Sequence, residues 1–185
     1  AEDPETCFKA TGDCCFEVPA IDARLEKLGE PVGKRRNGAL HIWLPPVAGK
    51  RYLVAVDTAG GGPDGDFAAM QIIELETGVQ CAELQQRLGQ LEQAKAAVAL
   101  AREYNHAMIA VERNNHGHAV LLGIAKLHAG LAPYQIFKAK DGRLGWLTTS
   151  ASRPVLVDQL EEALRTEGLT VHDAVSVDQL STFAS

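Results

Sequence analysis

An unbroken apolar run, Tyr52-Leu53-Val54-Ala55-Val56, leads straight into a carboxylate at Asp57. Strict alternation would mark a strand with one wet face; a continuous run predicts a strand buried on both faces at a sheet centre. A glycine-rich turn follows, from Ala59 through Gly60-Gly61-Gly62 to Asp66. Phe67 to Leu75 reads as a second strand, Thr77-Gly78 as a turn and Val79 to Gln86 as a third, giving an antiparallel meander.

Beyond the meander the period changes. Leu91, Ala94, Val98, Ala101 and Tyr104 fall at helical spacing, which predicts an amphipathic helix over about 90–104. Met108 to Val111 is a short buried strand ending at Glu112. A helix from Asn115, its cap, to His128 is stopped by Gly130, and Tyr134 to Phe137 is a fifth strand. Ser152 caps a further helix with Pro154 in its first turn; Leu156, Leu160 and Leu164 share one face, and Gly168 ends it. Leu169 to His172 reads as a last short strand. Three antiparallel strands followed by alternating helices and strands is the element order of a ribonuclease-H-like α/β fold, a mixed sheet flanked by helices. Residues 1–48 carry many breakers and one short helix, Ile21 to Leu28. They read as an arm or linker, which leaves 49–185 as the folded domain.

Composition narrows the setting. Hydrophobic residues are 46% of the 185 and charged ones 23%, the balance of a globular protein. No apolar run approaches the roughly 18 residues that span a bilayer, and the acidic start lacks the regions of a secretory signal. The expectation is a cytoplasmic protein with no membrane association, its cysteines at 7, 14, 15 and 81 being reduced thiols. A net charge of −6 excludes a surface that coats nucleic acid throughout. It leaves room for a local track: residues 134–156 hold Lys138, Lys140, Arg143 and Arg153 against Asp141 alone. These are candidate contacts to a duplex backbone, with Trp146 beside them, or an ordinary solvated loop.

Asp57 and Glu112 each end an apolar strand, and strand carboxyl ends face the crevice where α/β sheets bind ligands. On adjacent strands the two acids would repel unless a cation lay between them. Mg²⁺ or Mn²⁺ fits such oxygen donors, and two ions would support phosphodiester hydrolysis. The alternative is that both acids merely cap loops. His116 and His118 flank Gly117, as metal ligands or as solvated first-turn side chains; Asn114 and Asn115 either orient Glu112 or cap the helix. The glycine run at 60–62 is read first as a turn and second as a phosphate cradle.

Val54-Ala55-Val56-Asp57-Thr58-Ala59-Gly60, with Gly65-Asp66-Phe67, resembles the first acidic motif of phage terminase large-subunit nuclease domains. Val111-Glu112-Arg113-Asn114-Asn115-His116-Gly117 resembles their second. Gly145-Trp146-Leu147-Thr148-Thr149, with Arg153, Leu156 and Leu160, resembles the segment before the penultimate helix. Asp178-Gln179-Leu180-Ser181-Thr182-Phe183 is similar to their Glu-Leu-x-x-Phe stretch, with Gln179 where Glu is usual. The blocks run in family order over about 50–185. The resemblance implies a metal-dependent endonuclease cutting concatemeric double-stranded viral DNA during packaging. Asp57 and Glu112 are its implied catalytic metal ligands, with Asp66 as a weaker candidate. A third acid is implied in a last helix past Ser185. It also implies, as partners in the intact motor, an ATPase domain ahead of residue 48, a small terminase subunit and a portal. Ala48-Gly49-Lys50-Arg51 lacks the remaining residues of a phosphate-binding loop, so no ATP hydrolysis is expected of this chain. Two other readings stand beside it: a nucleotide-binding domain of the actin and sugar-kinase type, and a non-catalytic module that docks on DNA or the portal.

Overall fold

The computed structural model describes residues 16–62, 65–127 and 135–181. It divides into two compact units, Pro31–Thr149 and Ala1–Glu30 with Ser150–Ser185.

The larger unit is built on a six-stranded sheet in the order β1-β2-β5-β4-β3-β6. Its strands are β1 (Gly33–Arg35), β2 (Leu40–Ile42), β3 (Tyr52–Asp57), β4 (Ala68–Glu74), β5 (Gln80–Gln86) and β6 (Met108–Val111). The expected meander is present, β3 pairing β4 and β4 pairing β5 antiparallel, and β6 returns parallel to β3. In β3 the burial alternates, Tyr52, Val54 and Val56 being buried and Leu53 and Ala55 half-buried. Val54 and Val56 stand in register with the fully buried Ile109 and Val111. Two helices, α2 (Gln90–Glu103) and α3 (Gly117–Leu127), supply the rest of that core through Ala94, Ala97, Ala101, Val120 and Ile124. The small side chains bring the helices close: a Cβ on Gly123 would stand 2.8 Å from Cβ of Ala94.

Three expectations are corrected here. The segment to residue 48, expected to be an arm, supplies two strands, β1 and β2. Leu40 and Ile42 are buried because β2 completes the ladder beside β5, a gain from tertiary pairing that three residues of local pattern do not reveal. The buried face of α2 includes the predicted Ala94, Val98 and Ala101, with Tyr104 just past its end, but Leu91 is 56% exposed and Gln93 is wholly buried. The fifth strand over 134–137 is reduced to a single parallel bridge, Ile109 to Ile136, among the described residues.

Tyr104 closes the opposite end of the core. It is fully buried, meets Tyr52 edge-on at 5.2 Å between ring centroids, and donates its hydroxyl to the Leu44 carbonyl at 3.1 Å. Burial pushes its hydroxyl well above the usual phenol range. Tyr104→Phe should cost about 1 kcal/mol in urea unfolding by leaving that carbonyl without its donor; an unchanged midpoint would remove the bond from the account.

In the smaller unit, α1 (Val18–Leu25), α4 (Ser152–Arg165) and α5 (Ala174–Leu180) bury Phe16, Ile21, Leu164 and Val177 together. α1 starts three residues before the predicted helix, with Pro19 in its first turn. Ser152 is the first residue of α4 rather than its cap; Ala151 takes the cap position, and Glu167, with φ 57°, turns the chain where Gly168 was expected to. Leu169 to His172 is not a strand, since Leu169 and Val171 pack on the helix cluster. It leads instead into α5, which the sequence pattern missed and which Asp173 caps by accepting from the Ser176 amide at 2.7 Å. Cys7, Cys14, Cys15, His128, Gly130, Tyr134, Thr182 and Phe183 lie outside the described residues, and no described helix is long and apolar enough to cross a membrane.

Candidate metal centre

Asp57 and Glu112 are brought together. The parallel pairing of β3 with β6 ends at Val56 opposite Val111, and the Glu112 amide donates to the Val56 carbonyl at 2.9 Å. Each acid is the next residue on its own strand, so both side chains leave the same sheet face on neighbours about 5 Å apart. Their carboxyl groups lie close enough to act on each other. Crowding by the surrounding chain, then the charge of Glu112, holds the Asp57 carboxyl above the usual carboxylate range. Two acids held against each other are a site short of positive charge, and a hard divalent cation supplies it. The donor set therefore fits a magnesium-like ion. Among the described residues no group of three or more His, Cys, Asp or Glu forms a metal-holding cluster. Asp66 is exposed beyond the glycine-rich turn and is not among the groups acting on Asp57, so it does not complete a three-acid set. Neither do His116 and His118, both exposed.

Side chains that the sequence pattern passed over hold the two acids in place. Buried Gln93 donates to the carbonyls of Ala59 and Leu88, both at 2.7 Å, and accepts from the Ala59 amide. Gln90 donates to the Gly60 carbonyl at 3.1 Å, and Arg87 to that of Gly65 at 2.8 Å. Three residues at the start of α2 and just before it thus clamp the turn that leaves Asp57. Gly61, at φ 75°, passes so close to Gly89 that a Cβ would stand 2.8 Å from the Gly89 Cα. The glycine run is accounted for by this packing, without a phosphate.

On the other side, Glu112 opens a tight reversal. Asn114 donates from Nδ2 to Glu112 Oε1 at 3.0 Å and to the Thr148 carbonyl at 3.1 Å. Asn115 takes a left-handed φ of 42° rather than capping, and Gly117 donates to the Asn114 carbonyl at 2.8 Å as α3 begins. The imidazole of His116 lies over Gly60, the closest approach to a Cβ there being 3.1 Å from Nε2.

Arg113, pointing away from the acids, is 4% exposed and grips Asp141 with both terminal guanidinium nitrogens. This fastens a hairpin, Phe137 to Gly145, whose Lys138, Lys140 and Arg143 are all exposed. Trp146, 37% exposed and 6.2 Å from the Phe137 ring, bridges its backbone to Glu112. Of the four expected backbone contacts, these three basic residues belong to the unit that carries the acids; Arg153 is exposed on α4 in the smaller unit.

The Arg113 guanidinium, with the Arg143 amide, holds the Asp141 carboxyl down at about 2. A carboxyl depressed by folding stabilises above its unfolded value and loses that contribution as pH falls through the folded one. Asp141→Asn should therefore lower the melting temperature at pH 7, with the difference from the parent shrinking as pH falls from 4 toward 2. An equal difference across that range would show that charge is not what anchors the hairpin.

Solved structures share this arrangement of strands and helices. The large terminase nuclease from thermophilic phage G20c, with bound magnesium and with bound cobalt, superposes with TM-scores of 0.67 and 0.68 at 16% identity. Each match covers 94% of this chain and 82% of that one. The Thermus phage P74-26 large terminase nuclease domain matches with a TM-score of 0.60 at 16% identity, over 87% of this chain and 76% of that one. The chain has the fold of a large terminase nuclease domain. No protein-family model and no curated protein matches the sequence. The expected ribonuclease-H-like sheet is present, and its strand β3, next to the edge strand β6, carries the acid pair with it.

Proposed function

We propose that this chain is a terminase large-subunit nuclease domain, a metal-dependent endonuclease that cuts concatemeric double-stranded viral DNA during genome packaging. The observation that carries the reading is the meeting of Asp57 and Glu112 at adjacent strand ends, where two carboxylates oppose each other and a divalent cation would offset their charge. The fold shared with terminase nucleases at 16% identity supports it, as do the magnesium and cobalt bound in such a nuclease.

Asp57 and Glu112 would hold the Mg²⁺ or Mn²⁺. When bound, a pair of such ions would activate a water and offset the charge on the departing sugar oxygen. The chain's own residues supply the rest. The clamps on both flanking turns keep the two carboxylates from parting. Exposed Lys138, Lys140 and Arg143, on a hairpin tied to Glu112 through Trp146, would meet the duplex backbone without reading sequence, as would Arg153. In the intact motor the domain would work in the host cytoplasm beside the ATPase domain, the small subunit and the portal.

The test is nicking of supercoiled plasmid in Mn²⁺. Cutting is expected from the parent and not from Asp57→Ala or Glu112→Ala. Equal cutting by both variants would place the chemistry elsewhere.

A further inference from the structure

We infer that Asn114 is the positioning residue that sets the Glu112 carboxylate for cation binding, an assignment that rests on the metal-site reading above. A glutamate side chain turns about three bonds, so a half-buried one at a strand end needs a fixed partner to choose its rotamer. The Asn114 amide makes that choice. Nδ2 carries two hydrogens, and both are used: one goes to Glu112 Oε1 at 3.0 Å, the other to the Thr148 carbonyl at 3.1 Å.

Neither anchor is loose. The Asn114 backbone is fixed by accepting from the Gly117 amide at 2.8 Å. The strand-like segment leading to Thr148 is fixed on both sides of Trp146, which donates to the Val111 carbonyl and accepts from the Arg113 amide, each at 2.7 Å. The amide is thus a strut between two pieces of held backbone, with the carboxylate as its third contact. Because the strut takes Oε1, Oε2 is left for Asp57 and the ion. The chemistry selects the residue type: serine has one donor hydrogen, aspartate at neutral pH has none, and only an amide of this length serves both acceptors from one nitrogen. Partners of this kind orient metal ligands, and their loss weakens metal affinity about 10–100-fold.

The experiment measures Mn²⁺ binding to the whole chain by calorimetry, with melting in EDTA alongside. Asn114→Leu keeps the shape and removes both donors; Asn114→Ala removes both and leaves space, so packing effects are told apart from loss of the strut. Both variants are expected to bind Mn²⁺ on the order of tenfold more weakly or worse, with little change in EDTA melting. Their metal-free crystal structures should show the Glu112 carboxylate turned from its place. Affinity within twofold of the parent, or a Glu112 carboxylate that has not moved, overturns the assignment. If the parent itself binds no Mn²⁺, the metal-site reading fails, and the Glu112 orientation alone then decides the role of Asn114.

Discussion

Asp57→Asn is expected to abolish cutting while making the metal-free protein more stable, and Glu112→Gln should do the same. Loss of one ligand removes several kcal/mol of transition-state stabilisation, on the order of a thousandfold or more in rate. The stability change has the opposite sign, because the native fold holds two acids against each other. Asp57 has its folded pKa raised, first by crowding and then by Glu112. A carboxyl raised in this way stabilises the fold below its unfolded value and loses that contribution as pH rises through the folded one. The parent has therefore lost it at pH 7, and Asp57→Asn has nothing to lose. In EDTA at low salt the variant should gain about 1 kcal/mol at pH 7, a figure that allows for solvent screening of an open carboxyl. The gain should shrink below pH 4. Added Mn²⁺ should reverse the order, since an ion at a hundred times its dissociation constant stabilises the parent by about 2.7 kcal/mol and the variant not at all. A variant less stable than the parent in EDTA at pH 7 would mean that the acids do not oppose each other.

Gly117→Ala should be the most damaging single methyl in the sheet unit. A Cβ at Gly117 would stand 1.9 Å from the Glu112 carbonyl oxygen, 2.8 Å from its carbon and 3.6 Å from Thr58 Oγ1. The obstacle is backbone, and it cannot easily withdraw: Glu112 is bonded to Val56 and Gly117 to Asn114. Relief requires opening the reversal, which draws Glu112 away from Asp57. Overpacking of this kind costs about 3 kcal/mol, roughly a 10 °C fall in melting temperature, with Mn²⁺ stabilisation lost as well. Gly89→Ala is the control, because nothing lies within 4 Å of a Cβ there. If Gly117→Ala melts like Gly89→Ala and still gains from Mn²⁺, the reversal does not position Glu112.

The acid pair was legible because its signal is local. An apolar run closed by a carboxylate announces a strand and its end together, and this happens twice, at Asp57 and at Glu112. What stayed hidden depends on contacts distant in sequence. β1 and β2 are three residues each, too short for a period, and their reason to exist is the exposed side of β5. Gln93 and Arg113 read as solvent-facing by type; burial is acceptable because backbone carbonyls satisfy one and Asp141 the other. Gln93 left a weak trace, a polar residue between Leu91 and Ala94, but nothing in the chain pattern states that Ala59 and Leu88 would meet it. Leu91 misled for the converse reason, since an apolar side chain on a helix surface carries no penalty large enough to forbid it. α5 had its cap in view at Asp173 with Ser176 after it, and was obscured by a two-period reading of Leu169 and Val171.

The central claim is that Asp57 and Glu112 bind one cation together. Crystals soaked in Mn²⁺ and measured at its absorption edge test it directly. The account predicts an anomalous peak about 2 Å from a carboxylate oxygen of each, absent from Asp57→Asn crystals treated alike. A clean map at the two strand ends, or a peak bound to one acid with the other turned away, would contradict it.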